Sequence, residues 1–434
     1  MFWFRLRHRW THWTPYLLSA CALVWRRLMF RTTFIAITGS VGKSTATAAL
    51  GSILSSHFPT NWLPGAKNNR HALAETILRT RFRHRFTVIE VGTRAPGALQ
   101  RAAWMIAPHM VVMLRVLNIH SNAFRTTEEM AAEKAWLLSR LGKRGVAILN
   151  ADDPRVLAMR ELCRGPVLTF GLAAGSFVTA SEVSSRWPRR LSFRANCGNE
   201  SAWVETNLVG QHMVYAALGA LTAAVCCHVP LEKAAACFHD IQPVAGRMQP
   251  MYLPNGVTVL RDEFNATLPT LEAALDVMRS AEGSRRIVIL GDVLDSGRPE
   301  RQRFRYLGAQ AALAADMAVF LGDLAKPAAK AAIAAGNPRF ATVLAFKTLP
   351  EAAAFLKSEL RAGDLVLIHG WIGRHMERVI LAQLDSISCW LERCDKLMQC
   401  EDCSELKLVA IQKKVESEGG DLVRHRGDLS QKDA

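Results

Sequence analysis

At 434 residues, half of them hydrophobic and 21% charged, the chain has the composition of a folded protein too long for one ordinary core. That excludes a disordered or low-complexity chain and points to two or three domains. A formal net charge of +16 favours anionic partners but does not by itself separate nucleotides, anionic lipid and nucleic acid. Nucleic acid rests on charge alone, so no such partner is expected.

Residues 1–33 carry Arg5, Arg7, Arg9, Arg26, Arg27 and Arg31 and no acid, with Trp3, Trp10, Trp13 and Trp25 interleaved. The uncharged stretch between Trp10 and Arg26 is shorter than the ~20 apolar residues that span a bilayer. A segment lying on a membrane surface, with tryptophans and arginines at headgroup level, fits this composition, and a helix packed on the globular body is the other reading. A secretory signal is the rival reading, set aside on the character of the segment that follows.

From residue 34 the runs FIAIT (34–38), FTVIEV (86–91), MVVMLRV (110–116) and GVAILN (145–150) read as buried strands separated by long connections. Such continuous Val/Ile-rich runs indicate a parallel sheet covered on both faces. Residues 166–206 alternate in short runs, as a small β-rich piece appended before a helix over 211–227. A second α/β series follows, with GVTVLRD (256–262), RRIVILGD (285–292), MAVFLGD (317–323) and DLVLIHG (364–370) as strands. The predicted organisation is an α/β chain: a membrane-associated segment 1–33, a central domain 34–243, a Rossmann-like C-terminal domain 244–384, and a Cys-rich segment with a disordered tail over 385–434.

Strand FIAIT runs directly into Gly39-Ser40-Val41-Gly42-Lys43-Ser44-Thr45 and then a helical pattern. A glycine-rich turn at that junction lets backbone N–H groups and a helix N-terminus surround phosphate oxygens, while Lys43 supplies charge and Ser44 or Thr45 a Mg²⁺ ligand. ATP and Mg²⁺ are therefore the expected cofactors. The loop is shorter than G-x-x-x-x-G-K-[ST], because only Gly39-x-x-Gly42 is present.

The shortened loop is similar to that of the Mur ligases, and further motifs of that family follow in order over residues 34–384. Asn68-Asn69 resembles its Asn-Asn segment before a helix, and Val88-Ile89-Glu90-Val91-Gly92 its strand ending in a metal-binding glutamate. Asn118-Ile119-His120 resembles its metal-binding histidine, and Glu133-Lys134 its carbamylated lysine. Asn150-Ala151-Asp152-Asp153, Gly246-Arg247-Met248-Gln249 and Asp262-Glu263-Phe264-Asn265-Ala266, followed by Gly291-Asp292, complete the series. The resemblance implies an ATP-dependent ligase that activates a carboxylate as an acyl phosphate and joins it to an amine in cell-wall or related peptide synthesis. It also implies roles: Lys43 and the loop amides on the β- and γ-phosphates; Ser44 and Glu90 on one Mg²⁺; His120 and a carbamate on Lys134 at a second; Asn150, Arg247, Asp262 and Asn265 on the nucleotide. A P-loop ATPase or kinase, and a nucleotide-binding assembly subunit without ligase activity, are the competing readings.

The substrate side departs from the family pattern. Only 33 residues precede the first strand, where the wall-precursor ligases carry a UDP-sugar domain; His369-Gly370-Trp371-Ile372 stands where a K-G-S-R-like segment is expected; and Asn122 replaces a frequent glutamate. Poly-γ-glutamate synthetases of the same superfamily share the short hydrophobic start. UDP-muramoyl tripeptide with D-alanyl-D-alanine is expected to be a poor pair, and a partner subunit is allowed for. The enzyme is expected in the cytoplasm, with its N-terminus at the inner face of the membrane.

Six of ten cysteines lie singly or as neighbours in apolar contexts, while Cys389, Cys394, Cys400 and Cys403 crowd into fifteen residues. Nothing asks for a disulfide framework. The crowded four are a candidate structural zinc site, with inert thiols and redox or iron–sulfur use as alternatives.

Overall fold

The computed structural model describes residues 17–406, apart from 66–67, 94, 118–122, 283–284, 294–298, 324, 336–341 and 397. The chain divides into two compact units, Met1–Met248 with Thr267–Glu282 and Leu294–Pro299, and Gln249–Ala266 with Gly283–Val293 and Glu300–Ala434.

The first unit begins with helix α1 over 17–28. Leu18, Ala22, Trp25, Arg26 and Met29 recur at helical spacing and pack on the body. Trp25 Nε1 donates to Thr80 O (2.8 Å), and Arg26 donates from Nε to Ile106 O (2.5 Å) while its guanidinium lies over the Phe34 ring. No helix among the described residues is long and apolar enough to cross a membrane.

The elements that follow are β1 (Thr33–Thr38), α2 (Lys43–Ser55), β2 (Thr60–Asn61), α3 (Arg70–Leu78), β3 (Phe86–Glu90), α4 (Ala98–Ile106), β4 (Met110–Met113), α5 (Thr127–Ser139), β5 (Val146–Asn150) and α6 (Pro154–Ala158). Then come β6 (Val167–Gly171), β7 (Val178–Ser184), β8 (Ser192–Cys197), β9 (Glu200–Glu205), α7 (Val214–Cys226) and α8 (Leu231–Ala236). The sheet order is β2-β3-β1-β4-β5-β6-β7-β8-β9, parallel up to β7 and antiparallel beyond. The β-rich piece expected as an appendage thus continues the first sheet. The order reverses direction between β1 and β4, and in open α/β sheets ligands bind beyond the carboxyl ends of strands at such a switch point.

In chain order the remaining elements are β10 (Gln249–Tyr252), β11 (Thr258–Asp262), α9 (Leu268–Ser280), β12 (Arg285–Leu290), α10 (Glu300–Ala314), β13 (Met317–Leu321), α11 (Ala325–Ala334), β14 (Thr342–Phe346), α12 (Leu349–Glu359), β15 (Asp364–His369) and α13 (Glu377–Leu381). Of these, α9 clusters with the first unit. The second unit's sheet runs β10-β11-β15-β12-β13-β14, parallel except for β10. The half-buried edge strand β14 was not marked out by the sequence. Residues up to 406 pack on this unit, with Leu381, Cys400 and Leu406 forming a small apolar cluster, and the tail expected to be disordered lies outside the described residues.

Gly308 of α10 is buried, and a Cβ there would overlap the backbone oxygen of Ala328 on α11. At an exposed helical site alanine in place of glycine gains up to about 1 kcal/mol. Here Gly308→Ala forces two helices apart and is expected to destabilise by about 1–3 kcal/mol, read as a lower denaturation midpoint. An unchanged or raised midpoint would refute the close approach.

Candidate active site

The turn after β1 is built around two glycines. A Cβ on Gly39 (φ 156°) would stand 2.8 Å from Leu114 Cβ, and Gly42 (φ 79°) takes the left-handed conformation that starts α2. Ser40 N donates to Arg115 O (2.6 Å), and Ser40 Oγ donates to Leu117 O (3.1 Å) and accepts from Leu117 N (2.9 Å). The loop is thereby fastened to the chain leaving β4, across the switch point. Of the two hydroxyls after Lys43, Thr45 Oγ1 turns toward Met213 Sδ (4.0 Å), whereas Ser44 Oγ is buried with no protein partner among the described residues.

Two lysines converge on one carbonyl. Gly39 O accepts from Lys43 Nζ and from Lys134 Nζ, each at 3.0 Å, and Lys43 Nζ also donates to Ser40 O (3.0 Å). Lys43 keeps some surface at the loop while its ammonium is enclosed; burial lowers its pKa to about 8, with Arg247 adding to the fall and Glu90 opposing it. Lys134, only 2% exposed, is held well below the usual lysine range by burial first and by Lys43 second. The neighbouring acids do not pair with it. Glu133 accepts from Gly97 N (2.8 Å) and Leu99 N (2.7 Å), capping α4, and Glu129 accepts from Arg125 N (2.8 Å). An exposed lysine paired along its own helix is therefore excluded.

Glu90 ends β3 opposite Ile37 of β1, one residue short of that strand's end. It is 3% exposed; Oε1 accepts from Asn68 Nδ2 (2.7 Å), and Oε2 is buried with no protein partner among the described residues. A Cβ on Gly92 would meet Asn68 Cγ at 2.8 Å, so that glycine gives the amide its place. The two asparagines divide the work, since Asn69 Oδ1 caps α3 at Ala72 N (2.9 Å). Buried polar atoms rarely lack partners. An unpartnered hydroxyl and an unpartnered carboxylate oxygen beside a phosphate loop are hard oxygen donors that fit Mg²⁺.

Elsewhere the motif residues do structural work. Asn150 Oδ1 accepts from Asp152 N (3.0 Å); Asp152 takes Leu172 N (2.6 Å) and Ala173 N (3.2 Å); Asp153 caps α6 and accepts from Val116 N (2.7 Å). Asn150 keeps a buried Nδ2 without a protein partner among the described residues. His120 and Asn122 lie outside the described residues. In the second unit Asp262 and His369 are register partners at the ends of β11 and β15, joined Oδ2 to Nδ1 at 2.8 Å, and Arg374 reaches Asp292 at 3.4 Å. Asn265 is half-buried on the chain leaving β11. His369, read from sequence only as a departure, is the partner of Asp262. Its position at a strand end in register with that acid is the signal that would have revealed it.

The four-thiol zinc site finds no support among the described residues. All ten cysteines are unbridged, and no three of Cys389, Cys394, Cys400 and Cys403 gather at ligand distance among the described residues. Cys400 is buried in the second unit, and its thiol is pushed up to about 12 by burial and by Glu377. Lys396 Nζ approaches Cys403 (3.7 Å).

A parallel sheet with a phosphate loop at its switch point, a buried acid and hydroxyl beside it, and a low-pKa lysine pair define a nucleoside-triphosphate-using α/β enzyme. The family model of the Mur ligase middle domain matches residues 37–224 and that of the Mur ligase glutamate ligase domain residues 246–371, together well over half of the chain. The chain belongs to the Mur ligase family, and it is an ATP-dependent ligase that forms an amide bond. It is similar to the UDP-N-acetylmuramoyl-tripeptide--D-alanyl-D-alanine ligase of Mycobacterium bovis, 28% identical over 355 residues that cover 77% of this chain and 70% of the relative. The Escherichia coli enzyme of the same name is 26% identical over 279 residues, covering 63% and 60%. Among solved structures, MurF from Acinetobacter baumannii superposes with a TM-score of 0.76 at 26% identity, covering 86% of this chain and 80% of that one. The MurF ligase of Thermotoga maritima in complex with ADP, at 18% identity and a TM-score of 0.74, shares the fold.

Lowering a lysine's pKa in the folded state places a cost on the charged form. For Lys43 that cost is full below about pH 8 and is relieved as pH rises from about 8 to the ordinary value of 10.5, where the unfolded chain holds the proton and the folded chain does not. Stability of the wild type relative to Lys43→Met is expected to rise across that interval, measured as the difference in urea midpoints. A difference that stays flat with pH would show that the lysine is unperturbed.

Proposed function

We propose that the substrates are a peptidyl carboxylate and the amine of an amino acid or dipeptide, and that the site of the first unit carries out the activation. The convergence of Lys43 and Lys134 on Gly39 O, beside the unpartnered oxygens of Ser44 and Glu90, carries this reading. The carboxylate attacks the γ-phosphorus of ATP, ADP leaves, and the acyl phosphate forms; the amine then attacks the acyl carbon, phosphate departs and the nitrogen gives up a proton. Lys43, the loop amides and Arg247 neutralise phosphate charge during the first step. Ser44 and Glu90 would hold Mg²⁺, which supplies electrostatic neutralisation of the transferred group. Asn150 is a further candidate for the nucleotide in the first unit, and Asp262 and Asn265 are the second unit's candidates for ribose and base contacts.

Lys134 takes a different part. Its depressed pKa raises the share of neutral amine, the form that adds CO₂; a C–N bond forms, the amine nitrogen gives up one proton to solvent, and the neutral amine becomes an anionic carbamate. The carbamate would be an oxygen ligand, with His120, for a second cation, and it would reverse the like-charge contact with Lys43. Lys134→Ala is expected to lose most turnover and to regain part of it with a short carboxylic acid at high concentration, while Lys43→Ala loses turnover without rescue. Both are read as ADP release, which is expected to require acid and amine together; a screen of amino acids, dipeptides and UDP-muramoyl peptides in pairs identifies them. ADP release without an amine would favour an ATPase or kinase, and a Lys134→Ala enzyme near wild type would sink the carbamate.

Around α1 a separate surface supports membrane association of this enzyme in the cytoplasm. Leu17, Val24, Leu28 and Phe30 are exposed on the helix face and the turn that follows, with Phe82 near Trp25, and Arg27, Arg31, Arg81 and Arg83 are exposed with them. The tryptophan- and arginine-rich residues 1–16 continue from that helix in sequence. Apolar side chains flanked by arginines suit an anionic lipid surface, each basic residue contributing about 1 kcal/mol near it. The protein is expected to sediment with vesicles containing phosphatidylglycerol and not with phosphatidylcholine alone, and Leu17→Ser/Val24→Ser/Leu28→Ser to reduce this severalfold. Equal sedimentation with both vesicles, or no effect of the triple substitution, would refute the surface.

A further inference from the structure

Beyond the ligase-domain match, which ends at residue 371, the chain turns back and buries part of its tail in the second unit. Cys394 N donates to Gly373 O (3.3 Å), Arg378 Nη1 to Leu391 O (2.6 Å), and Cys400 N to Glu377 Oε1 (3.1 Å). These bonds bring together three side chains distant from the phosphate loop in sequence and unused by the ligase chemistry. His375 Nδ1 lies 2.9 Å from Glu377 Oε1 and 3.4 Å from Cys400 Sγ, and the three potential donor atoms all lie within 4.8 Å of one another. Exposures of 2%, 0% and 3% put all three in the interior.

We propose that His375, Glu377 and Cys400 form a structural binding site for a zinc-type divalent cation that clasps the tail to the turn after β15. Imidazole nitrogen, carboxylate oxygen and thiolate sulfur form a mixed set that selects zinc over magnesium or calcium. Glu377 Oε2 and His375 Nε2 are buried with no protein partner among the described residues, so hydrogen bonds leave the cluster incompletely satisfied, and Oε2 offers a fourth donor. The surroundings supply the outer contacts that orient ligands: Arg378 Nε donates to Cys400 Sγ (3.2 Å), and the Cys400 amide holds Glu377.

Charged groups line the cluster: Arg261 is bonded to both Glu263 and Glu401, and Arg378 donates to Cys400. On binding, the S–H bond of Cys400 breaks, the proton leaves to solvent, a sulfur–metal bond forms and nothing is oxidised or reduced. This site differs from a four-thiol centre, because Cys389, Cys394 and Cys403 take no part and the other two ligands are Glu377, the first residue of α13, and His375, two residues before it.

The test uses untagged full-length protein and two probes, zinc and cobalt(II). Purified protein is expected to hold about one zinc per chain, and removal of the metal with a chelator is expected to lower the thermal midpoint. Cobalt(II) added to the stripped protein is expected to give a thiolate-to-cobalt charge-transfer band with one-to-one stoichiometry. That band should vanish in Cys400→Ser, weaken in His375→Gln, and persist in Cys389→Ser/Cys394→Ser/Cys403→Ser. Folded wild type that binds neither metal, a band surviving in Cys400→Ser, or one lost in the triple variant would overturn the site. The wild-type spectrum tests the site even where a variant fails to fold, and no readout passes through ligase turnover.

Discussion

Two lysine ammonium groups bonded to one carbonyl oxygen set the terms for the nucleotide site. Each lies 3.0 Å from Gly39 O, so they are no farther apart than two such bonds laid end to end. Like charges at about 6 Å repel by about 3 kcal/mol at an effective dielectric constant of 20, and one neutral carbonyl does not cancel that. Depressed lysine pKa values and the nearby Glu90 carboxylate relieve part of it. The geometry around them is what makes the crowding persist: Gly39 has no side chain to collide with Leu114, Ser40 is stapled to the chain leaving β4, and α5 is fixed by Glu133 on α4. A loop on which two lysine side chains converge is a site arranged for polyphosphate.

The second unit uses the same strand-edge logic with different chemistry. Parallel strands end together at one edge, so residues far apart in sequence become neighbours by register: Asp262 with His369, and Leu290 of β12 with His369 on its other side. Gly291 and Gly370, each directly after a strand, leave the space into which Met376 Sδ fits. That methionine lies one residue from His375 and Glu377, so close packing at the strand edge also fixes the turn against which the tail is folded. Stability and site geometry are served here by the same contacts.

Much of this was legible because strands buried on both faces have an unmistakable composition. FIAIT, FTVIEV, MVVMLRV and GVAILN became β1, β3, β4 and β5, and the phosphate loop was readable because its glycines, lysine and hydroxyls are contiguous. β14 was missed because an edge strand needs no continuous apolar run, and its residues are only half-buried. The β-rich stretch was recognised, but its continuation of the first sheet depends on the β6–β7 pairing, a non-local fact. The cysteines misled for the opposite reason. Proximity in sequence suggested a shared four-thiol site, whereas the ligand-type atoms that the fold brings close to Cys400 are those of His375 and Glu377.

The pair Glu133-Lys134 shows most sharply how a local reading and a folded one diverge. Adjacent charges of opposite sign invite pairing, yet successive residues on a helix point about 100° apart and do not face each other. Glu133 therefore leaves on one side to cap α4, accepting two backbone N–H groups at a helix start where anionic charge is favoured. Lys134 leaves on the other side and reaches the phosphate loop. Neither role is available to an exposed pair, worth about 0–1 kcal/mol, and both require that α5 be rigid and placed between two loops. A single helical turn thus ties the start of α4 to the phosphate loop, and the lysine is desolvated by burial while its neighbour's carboxylate is bonded to α4. Burial first and Lys43 second hold the Lys134 pKa well below that of an ordinary surface lysine.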